Sequence, residues 1–237
     1  MNKFNSNFKI DFDNLFLELS QNVLFKNENI NKKFFSDWKE ILIQSEEVFL
    51  SNVSMKPLKI QNYPLYFKLP LKKKDYEFAI PLFIPRLIAE IHNSDVKAQT
   101  VETNIFGKDI KYNADYELQK MNIEPIIVLL EEIIGENLLV DGNHRIKYAK
   151  MHDIKTVDAY IIRSPFLVNH PLSFGYHFHY AFYCFLLDYM HFNNISEYHP
   201  VLRHFPFYEK YFYHKHSSKD WVAKYLPVFE KNFPPQE

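Results

Sequence analysis

Residues 118–162 read LQKMNIEPIIVLLEEIIGENLLVDGNHRIKYAKMHDIKTVDAYII, and along them the hydrophobic pattern switches between strand and helix. A polar helical segment, DYELQKM, leads in from residue 115. It is followed by the apolar run PIIVLLEE, a turn at Gly135, the strand NLLVD, the helix GNHRIKYAKM and a last strand, TVDAYII. Alternating periods of this kind predict a small α/β unit in which strands are covered by helices.

On the amino-terminal side, Phe12, Leu15, Phe16, Leu19 and Val23 recur at helical spacing, with Asp11 or Asp13 placed to cap the start. Phe34, Phe35, Trp38, Ile41, Leu42, Val48 and Phe49 repeat the pattern to about Leu50 and predict a second amphipathic helix. Prolines at 57, 64, 70, 81 and 85 then exclude long helices and favour short extended pieces such as 65–69 and 76–80, suited to an edge strand and a lid. Between Arg86 and Asn113 the pattern allows a short helix around Leu87 to Ile91 and a hairpin or loop around Gly107. Beyond Ser164 the chain turns aromatic and predicts two or three helices. The resulting organisation is a helical extension over 1–54, the α/β domain over 55–163, and an aromatic helical region over 164–237.

Composition bounds the function. The 237 residues are 47% hydrophobic and 24% charged, enough to bury a sizeable core. A net charge of -1, from 28 Lys and Arg against 29 Asp and Glu, offers no global attraction to a polyanion, so duplex DNA is an unlikely partner. The single cysteine, Cys184, excludes an internal disulfide and a cysteine metal cluster, and its setting in AFYCFLL predicts a buried thiol. The first residues contain no continuous apolar h-region, which makes the cytoplasm the default location. The apolar run from Phe178 to Met190 is too short to span a bilayer and carries Asp188, so no membrane is expected and a buried helix is.

The chemistry concentrates in VDGNHR, Val140 to Arg145. A strand delivers Asp141 and Gly142 into a tight turn, and Asn143, His144 and Arg145 form the first turn of the next helix. Backbone N–H groups at a helix start have no partner within the helix and sit at the positive end of its dipole, which suits a phosphate. Arg145 adds a permanent charge, and His144 can exchange a proton near neutral pH. The plainer alternative is that Asp141 and Asn143 cap the helix while Arg145 pairs with a carboxylate.

Taken together, residues 115–162 resemble the amino-terminal domain of the ParB/sulfiredoxin superfamily: a helix, a Pro-Ile-x-Val strand, a hairpin, a polar box with Gly and Arg, a helix and a Val-containing strand. The resemblance implies an α+β fold, a small mixed sheet with flanking helices. Boxes of this kind help bind CTP in ParB proteins, hold ATP phosphates in sulfiredoxin, and hold the nucleotide in an ADP-dependent free serine kinase whose box reads Asp-Gly-His-Thr-Arg. Gly142 and Arg145 match the shared Gly and Arg, Asp141 the kinase-like Asp, and His144 the His preceding Arg in sulfiredoxin. The sulfiredoxin cysteine falls on Asn143, which excludes sulfinic acid reduction. The second Arg of the ParB box has no counterpart beyond Arg145, and no basic helix-turn-helix follows.

These implications amount to a nucleotide-binding protein, for ADP, ATP or CTP with Mg²⁺, using Gly142, Asn143, His144 and Arg145 for binding and Asp141 and His144 for phosphoryl transfer or hydrolysis. A protein partner or a homodimer is compatible with it, and a non-catalytic regulatory or interaction module is the competing reading. Upstream carboxylates available as a general base are Glu90, Glu102, Asp115, Glu117 and Glu124. No metal site is assigned: His177 and His179, two apart on a helix, point to different faces, and the remaining carboxy-terminal histidines read as packing or surface groups. The Lys72–Lys74 run reads as a solvated loop.

Overall fold

The computed structural model describes residues 10–53, 62–69, 76–107, 124–131, 136–198 and 217–224. The expected helix DYELQKM with Asp115 and Glu117, the Gly135 turn, the Lys72–Lys74 run and His199, His204, His214 and His216 lie outside the described residues. The fold is α+β. Its described residues form two compact units: those up to Phe83 together with those from Pro171 on, and Ile84–His170. This division falls after Phe83 and after His170. Residues 62–69 and 76–83 group with the helical segments, and 164–170 stay with the mixed sheet.

The first unit is built on helices. Helix α1, Phe12–Leu19, starts where the Asp11 carboxylate accepts the Asn14 N–H at 3.1 Å, which satisfies one of the open amides of a helix start. Helix α2, Glu28–Val53, buries Phe34, Phe35, Trp38, Leu42 and Phe49. Val23 and Val48, expected on the apolar faces, are exposed instead, Val23 because α1 has already ended. Strands β1, Asn62–Leu69, and β2, Tyr76–Phe83, make an antiparallel pair of their own rather than an edge of the mixed sheet. Pro64 faces Pro81, so one cross-strand pair carries both residues that lack an N–H.

Helix α6, His177–Tyr198, is what these elements enclose. Every residue from Phe178 to Tyr189 is buried. Phe185 lies 5.1 Å from the Phe16 ring and 5.8 Å from Trp38, while Phe182 meets Phe78 at 4.9 Å and Tyr183 meets Phe67 at 5.7 Å. A helix that is apolar all round has to be covered all round. No helix among the described residues is long and apolar enough to cross a membrane.

In the second unit, α3 (Ile84–His92) precedes strands β3 (Gln99–Glu102), β4 (Ile126–Glu131), β5 (Glu136–Asp141) and β6 (Thr156–Arg163). Helix α4, Asn143–Met151, joins β5 to β6, and α5, Ser164–Asn169, follows β6. The sheet order is β3-β6-β4-β5, with β4 parallel to β6 and both outer pairs antiparallel, so the sheet is mixed as expected. Central β4 is buried on both faces, which accounts for its uninterrupted IIVL. Ile146 and Ala149 of α4 pack on Ile126, Val128, Val157 and Ala159. Asp153, φ 55°, supplies the left-handed residue after α4.

Asp188 and His179 are among the ionisable groups buried along α6. Burial pushes the Asp188 carboxyl up to about 7, against bonds from Ser217 Oγ at 2.7 Å and the Ser218 N–H at 2.9 Å that favour the charged form. Burial pushes the His179 imidazole down to about 4. Between about pH 4 and 6.5, folded Asp188 keeps a proton that the unfolded chain has shed, so its contribution to stability falls as pH rises. Over the same window folded His179 lacks a proton that the unfolded chain carries, so its contribution rises. Relative to the wild type, Asp188→Asn should therefore gain stability with increasing pH and His179→Asn should lose it, each at roughly 1 kcal/mol per pH unit. Urea unfolding at three pH values in this window checks this, and slopes of the same sign in the two variants would refute it.

Candidate functional site

Strand β5 reaches the turn through an irregularity. Val128 pairs with Leu139 but Ile127 pairs with Asp141, so Val140 is an extra residue in the ladder and the strand end bends. Asp141 closes β5, and Gly142 is the N-cap of α4 at φ 103°, ψ 16°. A side chain there would be strained by the backbone and would also collide with β4: a Cβ would stand 2.7 Å from the Cβ of Ile126 and closer still to its Cγ2. Glycine is thus required twice, for the left-handed turn and for the approach of the helix start to the central strand.

Asn143, His144 and Arg145 take the first turn of α4, half-buried, as the sequence predicts. No side chain caps this helix, so Asp141 and Asn143 are not its caps. Arg145 turns back rather than outward. Its Nη2 donates to the Asp141 carboxylate, and its Nη1 donates to the carbonyls of Glu124 and, at 2.8 Å, Pro125. These bonds take three of the five N–H donors of a guanidinium and hold the side chain at 14% exposure. Arg145 therefore clasps the exit of β5 to the entry of β4 beside the start of α4, its charge paired with that of Asp141.

The site thus offers an anion a helix start unencumbered by a capping side chain, an arginine held behind it in an ion pair with Asp141, and the side chains of Asn143 and His144 on its first turn. A magnesium ion on bound phosphates needs one or two protein carboxylates; Asp141, already sharing one oxygen with Arg145, is the carboxylate on hand. Among the described residues no group of three or more His, Cys, Asp or Glu is placed to hold a metal ion.

The candidate bases are dispersed. Glu124 adjoins the turn through its backbone. Glu90 is 2.7 Å from His170 Nδ1, and Glu102, at the end of β3, accepts from Asn104 at 2.9 Å. The described carboxy-terminal histidines act singly. His177 joins Ser45 Oγ, at 3.0 Å from Nδ1, to the Val222 carbonyl, at 3.1 Å from Nε2. His179 is buried beside Phe49 and Phe178, and His191 packs on Phe192. Cys184 is buried, and burial pushes its thiol well up.

No protein-family model, no curated protein and no solved structure matches the chain.

The turn is tested by stability. Gly142→Ala combines a disfavoured φ with a collision against backbone-anchored atoms and should destabilise by about 2–4 kcal/mol. Arg145→Ala, which leaves two carbonyls and a carboxylate short of a donor, should cost about 1–3 kcal/mol. Chemical denaturation of both variants measures this. A neutral Gly142→Ala would mean that α4 does not sit on Ile126 as described.

Proposed function

We propose that the chain is a ParB/sulfiredoxin-like nucleotide-binding protein that receives nucleotide phosphates at the β5–α4 turn, with Mg²⁺, and that Asp141 and His144 serve phosphoryl transfer or hydrolysis there. The observation that carries this reading is the turn itself: an uncapped helix start, brought against the central strand by a left-handed glycine, with a half-buried arginine fixed behind it. The order hairpin, turn, helix and parallel strand around β4 and β6 supports the family resemblance on which the nucleotide is inferred. In this arrangement Gly142 lets the backbone approach the anion, Asn143 and His144 contact it, and Arg145 positions the turn while supplying charge. His144 is the group able to move a proton, and Asp141 is placed to meet the metal.

One observation favours a second reading, a non-catalytic regulatory or interaction module. Arg145 is spent on the chain's own acceptors, as in a turn that serves folding alone. Turnover separates the two. Calorimetric titration with ADP, ATP and CTP, each with Mg²⁺, should show binding by the wild type, and Asn143→Ala with His144→Ala should weaken it at least tenfold, about 1.4 kcal/mol. For an enzyme, Asp141→Asn and His144→Ala should each abolish turnover of the bound nucleotide. Binding without turnover would leave the module, and a folded wild type that binds none of the three nucleotides would overturn the proposal.

A further inference from the structure

Helix α4 carries His144, Tyr148 and His152 at positions i, i+4 and i+8, a row along one side of the helix. The side that faces the sheet is set by Ile146 and Ala149, both fully buried, so the row lies away from it. Tyr148 and His152 face each other with ring centroids 4.1 Å apart at 35°. Tyr148 is half-buried and His152 exposed. Among the described residues neither the Tyr148 hydroxyl nor a ring nitrogen of His152 bonds to another side chain. A pair at this spacing adds little to the stability of a helix. Neither ring belongs to the cluster of buried residues on which α4 packs.

We propose that the Tyr148–His152 face receives the nucleobase of the ligand, an inference that rests on the phosphate-binding reading of the turn. Side chains of a helix lean toward its amino terminus, so this face tilts back toward the turn. Asn143 and Tyr148 are about 7 Å apart along the axis, the reach of a ribose from a phosphate held at the helix start. The aromatic rings offer a π surface for stacking, and the Tyr148 hydroxyl and His152 nitrogens offer hydrogen bonds to the base edge. Stacking accepts every base, so the ligand class is the nucleotides as a group, with little discrimination between ADP and CTP.

The test is calorimetry on the full chain, as wild type, His152→Ala, Tyr148→Leu and His152→Phe, with ADP and with inorganic pyrophosphate, both with Mg²⁺. The expected result is ADP affinity about tenfold weaker in His152→Ala and Tyr148→Leu, pyrophosphate affinity unchanged, and ADP affinity retained in His152→Phe. The exposed position of His152 keeps that substitution from disturbing the fold. If wild type binds ADP and pyrophosphate and neither variant alters either affinity, the base inference is overturned while the phosphate turn stands. A parallel loss of ADP and pyrophosphate in the variants also overturns it, by locating the effect at the turn. If folded wild type binds neither ligand, the phosphate reading and the base inference fall together.

Discussion

Helix α4 can begin only where a residue without a Cβ lets its first turn lie against Ile126, and the arrangement of the second unit follows from that contact. Ile126 opens β4, which lies between β5 and β6. With the helix start seated there, Ile146 and Ala149 fall onto the face shared by Val128, Val157 and Ala159. Arg145 reinforces the same place by binding the carbonyls that precede β4 and the carboxylate that ends β5. Rigidity at a helix start is also what anion binding requires, because donors that are already aimed need no reordering when the ligand arrives. Folding and the proposed binding therefore ask the same thing of Gly142.

The parts of this unit that could be read from the sequence are those written in local pattern. IIVL has the length and β-branching of a buried strand, NLLVDGNHR marks a strand ending in a turn, and Asp153 stands where a helix exit needs a left-handed residue. What escaped has no local signature. The acceptors of Arg145 are backbone carbonyls, which every residue possesses, so its inward course could not be told from an outward one. The extra residue at Val140 is hidden because LLV is apolar at each position and shows no alternation to break. The placement of β1 and β2 depends on contacts of Phe67 and Phe78 with residues more than a hundred positions later. Of the candidate site, the residues were legible and their partners were not.

The aromatic abundance of the chain belongs mainly to the first unit. Phe25, Phe34 and Phe192 form one mutually touching group, while Phe16 and Trp38 each meet Phe185. Large flat side chains pack around one central helix, and their tilted and edge-on contacts are the favoured ones. Asp188 and His179 sit within that apolar surround on the same helix. Ser217 and Ser218 give the buried carboxylate its donors, so a polar clasp ties the carboxy-terminal segment to the middle of α6.

The division of the chain has a consequence for the order of its assembly. Unit two is one uninterrupted stretch, Ile84–His170, whereas the first unit is assembled from residues on both sides of it. As the chain leaves the ribosome, the inserted unit completes its described strands, whose pairings are internal, before α6 is made. The apolar faces of α1, α2 and the β1–β2 hairpin must wait through its synthesis for α6, the helix they enclose. During that interval they are exposed hydrophobic surface of the kind that chaperones bind and that aggregates at high concentration. Early formation of the insert shortens the effective loop that separates α2 from α6, and so lowers the entropy lost when the first unit closes.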